Sequence, residues 1–166
     1  MANQPTDKEI IVYTDGACFG NPGPGGYGVV LLWGAHRKEM FGGFRRTTNN
    51  RMEIYAAIMA LRGIKKDKRH KIRLHSDSRL LTDAFNKKWI FGWEKKGWKA
   101  TGSKYRLNYD LWSQLLEEYN HFDVTFVWVE GHAGVPENER CDVLSKMGAA
   151  GATFEIDTVY EQGKNE

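Results

Sequence analysis

The chain is 166 residues long and 41% apolar, which suits one globular core and excludes both a second large domain and a disordered or collagen-like polymer. Its longest strongly apolar stretch, Tyr27 to Ala35, runs for nine residues where a membrane-spanning helix needs about 20, and the polar Met1 to Lys8 does not read as a secretory signal. The formal net charge of +3 hides a division, because residues 1–106 carry +12 and residues 107–166 carry −9, and the basic part points to phosphate-bearing partners.

In chain order, Glu9 to Thr14 (EIIVYT) is β-rich and ends at Asp15-Gly16, with Asn21 to Gly26 (NPGPGG) expected as a loop behind it. Tyr27 to Trp33 and Arg37 to Arg45 read as two further strands joined by a Gly-Ala turn, so the chain opens with an antiparallel meander. From Thr48 to Leu61 the period changes. Met52, Tyr55, Ala56, Met59 and Ala60 recur at helical spacing, and Asn50, three residues before Glu53, is the expected N-cap. Lys71 to His75 is a short strand, Ser76-Asp77-Ser78 leads into a helix reaching Asn86, and Tyr109 to Tyr119 is a further helix. Asp123 to Val129 is a strand and Pro136 to Gly148 the last helix. Residues 1–8 are expected to be flexible and residues 151–166 to form a loose tail, leaving 9–150 as a single domain. Strands first antiparallel and then separated by helices imply an α/β architecture, a mixed sheet with helices on its faces and a site at the strand-end loops.

The basic charge lies mainly in two runs, Arg62 to Arg73 and Lys87 to Arg106, each with seven basic residues and one acid. The second interleaves Trp89, Trp93, Trp98 and Tyr105 with Lys87, Lys88, Lys95, Lys96, Lys99, Lys104 and Arg106. That pattern supplies cations for phosphates and flat rings for sugars or bases. A solvated face accounts for the lysines alone, but exposed tryptophans cost solubility unless they pack or bind something.

Four acids fall at strand ends or in helices: Asp15, Glu53, Asp77 and Asp142. Singly, each has a local reading: a turn at Asp15-Gly16, a capping box closed by Glu53, a helix cap at Asp77, and an i, i+4 pair between Asp142 and Lys146. Together they can converge on one edge of a mixed sheet. Four carboxylates with no lysine among them repel unless a cation sits between them. All-oxygen donors select a hard ion, Mg²⁺ or Mn²⁺, over zinc. Two such ions can clamp a phosphodiester. His132, in the glycine-flanked Glu130-Gly131-His132-Ala133-Gly134, is placed to shuttle a proton. Gly97 to Lys104 lacks the Gly-Lys-Ser/Thr order of a phosphate loop, and no serine-hydrolase elbow, zinc-protease helix or EF-hand spacing occurs. Cys18 and Cys141 are too few for a disulfide scaffold or a cysteine zinc site and are expected to be reduced thiols.

Thr14-Asp15-Gly16-Ala17-Cys18-Phe19-Gly20-Asn21-Pro22-Gly23-Pro24-Gly25-Gly26, Thr47-Thr48-Asn49-Asn50-Arg51-Met52-Glu53, Ser76-Asp77-Ser78 and Trp128-Val129-Glu130-Gly131-His132-Ala133-Gly134 with Asn138-Glu139-Arg140-Cys141-Asp142 resemble, in order and approximate spacing, the signature blocks of bacterial type 1 ribonuclease H. The correspondence runs from Glu9 to Gly148, and Trp89 to Lys99 is similar to that family's basic protrusion. The resemblance implies a five-stranded mixed sheet and endonucleolytic cleavage of RNA in an RNA–DNA hybrid, with two Mg²⁺, or Mn²⁺ as a substitute, leaving 5′-phosphate and 3′-hydroxyl ends. It assigns metal binding to Asp15, Glu53, Asp77 and Asp142 and an auxiliary catalytic role to His132. It places Gly16, Asn21, Asn49 and Asn50 along the minor groove, where 2′-hydroxyls mark RNA, and Thr48, Trp93 and Asn108 on the DNA strand. Trp89, Lys95, Lys96, Trp98 and Lys99 belong to the substrate-binding handle at 87–106.

Three positions depart from the family's common pattern. Arg79 stands where glutamine is usual, adding a cation to the substrate-binding set, and Glu94 and Glu130 each replace a lysine. The expectation is altered affinity with unaltered reaction. The whole is read as a cytoplasmic monomer without an obligate protein partner, a membrane or a separate hybrid-binding domain. A related two-metal nuclease acting on DNA junctions and a non-catalytic hybrid-binding module are the alternatives. DNA cleavage marks the first, and failure of one of the four acids to bind metal marks the second.

Overall fold

The computed structural model describes residues 9–151 and 155–163. The N-terminal residues 1–8, and 152–154 and 164–166 of the expected tail, lie outside them. In chain order the elements are β1 (Glu9–Cys18), β2 (Gly23–Trp33), β3 (His36–Thr47), α1 (Asn49–Arg62), β4 (Lys71–Ser76), α2 (Arg79–Asn86), α3 (Trp89–Lys95), β5 (Lys99–Thr101), β6 (Lys104–Tyr105), α4 (Tyr109–Tyr119), β7 (Asp123–Trp128), α5 (Pro136–Ala149) and α6 (Thr158–Glu161). The main sheet has the order β3-β2-β1-β4-β7, antiparallel across β3, β2 and β1 and parallel across β1, β4 and β7. This is the mixed five-stranded sheet that the alternation of strands and helices implied. β5 and β6 form a separate small ribbon.

Alternation along β1 explains how the layers form. Ile10 and Val12 enter the larger core with Ile54, Ile58 and Leu61 of α1, Leu81 of α2, and Leu111, Trp112 and Leu115 of α4. Each fully buried Leu or Ile there is worth about 1.5–3 kcal/mol of transfer free energy. Tyr13 turns to the opposite face, against Val30 and the α5 residues Cys141 and Leu144.

The glycine-rich stretch expected as a loop is mostly strand: β2 begins at Gly23, and Cys18 lies opposite Gly25. The physical reason is α5, whose backbone rests directly on this part of the sheet. A Cβ at Gly26 would lie 2.8 Å from Gly148 C and closer still to Ser145 O and Ala149 N, so glycine here serves close approach rather than a turn. The N-cap of α1 also differs. Thr48, with extended backbone, accepts from Arg51 N–H at 3.2 Å, while Asn50 is already helical. Glu53 thereby falls in the second turn and closes no capping box. Ser78 rather than Asp77 caps α2, accepting from Leu81 N–H at 3.2 Å.

The loose tail expected after Gly151 does not hold for the described residues 155–163. Glu155 bridges to Phe44, Arg45 makes a bidentate pair with Glu161, and Asp157 and Tyr160 are buried. The cause is the buried cation Arg51, which needs the Asp157 carboxylate.

Candidate active site

Three of the four sequence-derived acids meet at one end of the sheet. Asp15, near the end of β1 and 4% exposed, Glu53 of α1 and Asp77, just beyond β4, each present a carboxylate oxygen within 4.8 Å of the others. Gly16 makes the junction between β1 and α1. Its N–H lies 2.8 Å from Asp15 Oδ1 and 3.1 Å from Glu53 Oε1, donating to both. A Cβ at this position would lie 2.6 Å from Glu53 N. Only a residue without a side chain lets the two carboxylates come together. Asp77 is held through its main chain, whose carbonyl accepts from Trp128 Nε1 at 3.1 Å.

The electrostatics are those of an acidic cluster short of cations. Burial, then repulsion from Asp77 and Asp142, pushes the Asp15 carboxyl up to about 7, against the easing effect of the adjacent Glu53 carboxyl and the Gly16 N–H. Burial and the neighbouring Asp15 raise Glu53 well above the carboxylate range. Asp77 is raised by burial, with partial relief from the Asn138 side chain. Glu53 Oε2 is buried with no hydrogen-bond partner among the described residues. A buried carboxylate oxygen without a partner, beside two further carboxylates, fits a hard divalent cation.

Asp142 stands apart from this group. It is near enough to act on Asp15 and Asp77, yet its Oδ2 lies 2.9 Å from Lys146 Nζ. The expectation of an acidic group without a lysine is therefore corrected, since the i, i+4 pair forms. Lys146 is 54% exposed, and a surface pair of this kind is worth about 0–1 kcal/mol, so a cation can displace it at little cost. His132 is exposed, with left-handed backbone (φ 57°), in the segment between β7 and α5. That segment lies against the acids: a Cβ on Gly131 would be 2.9 Å from Asp77 Oδ2.

The residues expected to contact nucleic acid divide into three groups. Asn21, Thr48, Asn50 and Asn108, with Leu107 and Tyr160, line a cavity of about 400 Å³. Asn49 sits at its edge, donating its N–H to Asn21 Oδ1 at 3.1 Å. Arg79 opens α2 beside Asp77, its guanidinium 3.7 Å from the centroid of the Trp128 ring. In the handle Trp89 is 40% exposed and Lys95, Lys96 and Lys99 are exposed, but Trp93 and Trp98 are half-buried against the core. Trp93 packs 5.2 Å from Trp112 and is covered by Arg106 at 4.4 Å, so this ring anchors the handle to the core. A cavity of about 440 Å³ at Ile10 and Trp33 holds none of the sequence-derived site residues.

The two cysteines are free and have separate partners. Cys18 lies 3.4 Å from the Gly23 and Thr47 carbonyls, and Cys141 donates to the Tyr13 carbonyl at 3.2 Å. Sequence reasoning missed Arg51, Asp110 and Asp157, which form a buried ionic group beneath the 400 Å³ cavity. A lone arginine on an otherwise apolar helical face was the available signal for it.

The family model described as RNase H matches residues 7–150. The Ribonuclease H of Syntrophus aciditrophicus (strain SB) is 55% identical over 159 residues, covering 96% of this chain and 91% of that protein. That of Aeromonas salmonicida (strain A449) is 49% identical over 154 residues, covering 93% and 98%. Among solved structures, LC9-RNase H1, described as a type 1 RNase H with the type 2 active-site motif, matches with a TM-score of 0.79 at 31% identity, covering 99% of this chain and 84% of that one.

Proposed function

The chain belongs to the ribonuclease H family, enzymes that hydrolyse the RNA strand of RNA–DNA hybrids, and from that premise we propose that it cuts endonucleolytically at Asp15, Glu53 and Asp77, leaving 5′-phosphate and 3′-hydroxyl ends. The observation that carries this reading is the meeting of those three carboxylates within 4.8 Å around the unpartnered Glu53 Oε2.

Asp15, Glu53, Asp77 and Asp142 are the residues that hold divalent ions, Mg²⁺ for preference with Mn²⁺ as a substitute. Such ions supply an activated water on one side of the phosphodiester and stabilise the leaving oxygen on the other. The carboxylates themselves do not attack. Lys146 gives up Asp142 when the site is loaded. His132, exposed on its glycine-flanked segment, takes or returns a proton at a ring nitrogen.

Gly16, Asn21, Asn49 and Asn50 lie along the minor groove, where 2′-hydroxyls identify RNA. Thr48, Trp93 and Asn108 hold phosphate and sugar of the DNA strand, and Arg79 adds a cation beside the cut strand. The handle, through Trp89, Lys95, Lys96, Trp98 and Lys99, follows the duplex beyond the site. The working unit is a monomer acting in the cytoplasm; its single domain begins near residue 9 and takes in the docked residues 155–163. No helix among the described residues is long and apolar enough to cross a membrane.

Strand-labelled RNA–DNA hybrid, incubated with and without Mg²⁺ beside RNA–RNA and DNA–DNA duplexes of the same sequence, tests the proposal on a gel. Cutting of only the RNA strand of the hybrid, stopped by chelator, is expected. Cutting of DNA would instead mark a junction-type nuclease, and binding without cutting in either Mg²⁺ or Mn²⁺ a hybrid-binding module.

A further inference from the structure

We propose that Asp157, in the C-terminal segment, is a positioning residue for the DNA strand of the hybrid, acting through Arg51 on the side-chain amide of Asn108. The inference rests on the ribonuclease H reading above and extends the binding site to a stretch of chain that carries none of the signature blocks.

The Arg51 side chain is 1% exposed, and all five of its N–H groups are engaged. Nε and Nη2 donate to Asp157 at 2.7 and 2.9 Å, Nη1 and Nη2 donate to Asp110 at 2.9 and 2.8 Å, and Nη1 also donates to Asn108 Oδ1 at 3.3 Å. Thr47 Oγ1 donates to the same Asp157 carboxylate at 2.7 Å, tying the group to the end of β3. The guanidinium plane is therefore fixed from two sides, and Asp157 supplies one of them.

Because a guanidinium can only donate, it dictates how the Asn108 amide sits. Its Oδ1 faces Arg51, which leaves the Nδ2 hydrogens for the cavity that Asn108 lines. Two neighbours in that cavity are set the same way. Asn21 Oδ1 accepts from Asn49 N–H, leaving the Asn21 amide hydrogens, and Thr48 Oγ1 accepts from Arg51 N–H, leaving its hydroxyl hydrogen. Three donors converge, which suits the oxygens of a phosphodiester. Tyr160, three residues after Asp157, forms part of the same cavity wall. Replacing the Asp157 carboxylate by an amide turns one of its two acceptors into a donor against the guanidinium, which loosens the hold on Arg51 and with it the orientation of Asn108.

The test compares wild type, Asp157→Asn, Asn108→Ala and the double variant in full-length protein. Two readouts are the Kd of fluorescent RNA–DNA hybrid in chelator and KM against kcat in Mg²⁺. For Asp157→Asn, Kd and KM are expected to rise about fivefold, the scale of one misdirected hydrogen bond, with kcat within about twofold of wild type. In the Asn108→Ala background the same substitution is expected to add nothing further. An unchanged Kd in Asp157→Asn, or a rise of equal size in both backgrounds, overturns the inference. Thr47→Val, which removes the hydroxyl on Asp157, carries the same comparison should Asp157→Asn fail to fold. Wild-type protein that binds the hybrid without cutting it overturns the nuclease reading alone, because Kd is read without turnover.

Discussion

The Arg79 guanidinium lies 3.7 Å from the centroid of the Trp128 ring, and the indole Nε1 of that ring donates to the Asp77 carbonyl at 3.1 Å. One tryptophan therefore fixes an acid of the carboxylate cluster and holds a cation beside it. A cation–π stack at an exposed site is worth about 0.5–1 kcal/mol, enough to keep a long side chain in one place.

Arg79→Gln is expected to raise KM for the hybrid about threefold while leaving kcat unchanged, the pattern of a phosphate that has no cation beside it in either the ground or the transition state. The slope of log affinity against log salt should become shallower by about 0.9, the amount for one phosphate no longer neutralised. A titration of KM against NaCl checks this, and an unchanged slope would show that Arg79 does not meet a phosphate.

Asp15→Asn is expected to abolish cleavage and to stabilise the metal-free protein. Burial and the neighbouring acids push the Asp15 carboxyl up to about 7, so its charged form weakens the fold at neutral pH. Removing that charge should raise Tm in chelator by about 3 °C, corresponding to roughly 1 kcal/mol in a chain of this size. Added Mg²⁺ should raise Tm of wild type and leave that of the variant nearly unchanged. Thermal melts by circular dichroism, paired with hybrid binding, read both effects.

The pH dependence of stability has a separate source on the surface. Hydrogen bonds from Arg140 and then Arg37 pull Glu39 down to about 2, linking β3 to α5. A carboxyl lowered in the folded state stabilises the protein above the ordinary carboxylate range and loses that contribution as pH falls towards 2. Glu39→Gln should therefore cost at most about 1 kcal/mol at pH 7 and nothing near pH 2. Urea unfolding at the two pH values measures the difference.

Arg51→Met leaves Asp110 and Asp157 without the cation they surround. Breaking a buried ion group by removing one partner typically costs about 3–5 kcal/mol. For this chain that is a fall in Tm of about 10 °C, visible in a thermal melt.

The sequence made Asp15, Glu53 and Asp77 legible because acids at strand ends and on the helix facing them have few other reasons to coincide. The order of strands and helices carried the mixed sheet, since the changes of period at Thr48, Ser76 and Pro136 were visible, whereas α3, β5 and β6 within the basic run were not. Other features depended on packing that no local pattern reports. Gly26 looks like a turn residue until α5 is seen lying on it, and Gly25 until Thr47 and Met52 are seen packed against it. Asn50 looks like a better cap than Thr48 until the backbone of Thr48 is seen to be extended. Residues 155–163 look like a tail because the partner of Asp157, Arg51, lies more than 100 positions earlier. Lys146 is visible at i, i+4 from Asp142, but convergence of the four acids, taken as a group without a lysine, hides that pair.

The most direct test of the carboxylate site is anomalous X-ray scattering from crystals of the protein with an uncleavable RNA–DNA hybrid and Mn²⁺. Density is expected between Asp15, Glu53 and Asp77, with carboxylate oxygens about 2.0–2.3 Å from the ion and the RNA strand's phosphate facing it. Hybrid bound in the crystal with no density at those three acids, or with Mn²⁺ held elsewhere against the RNA strand, would contradict it.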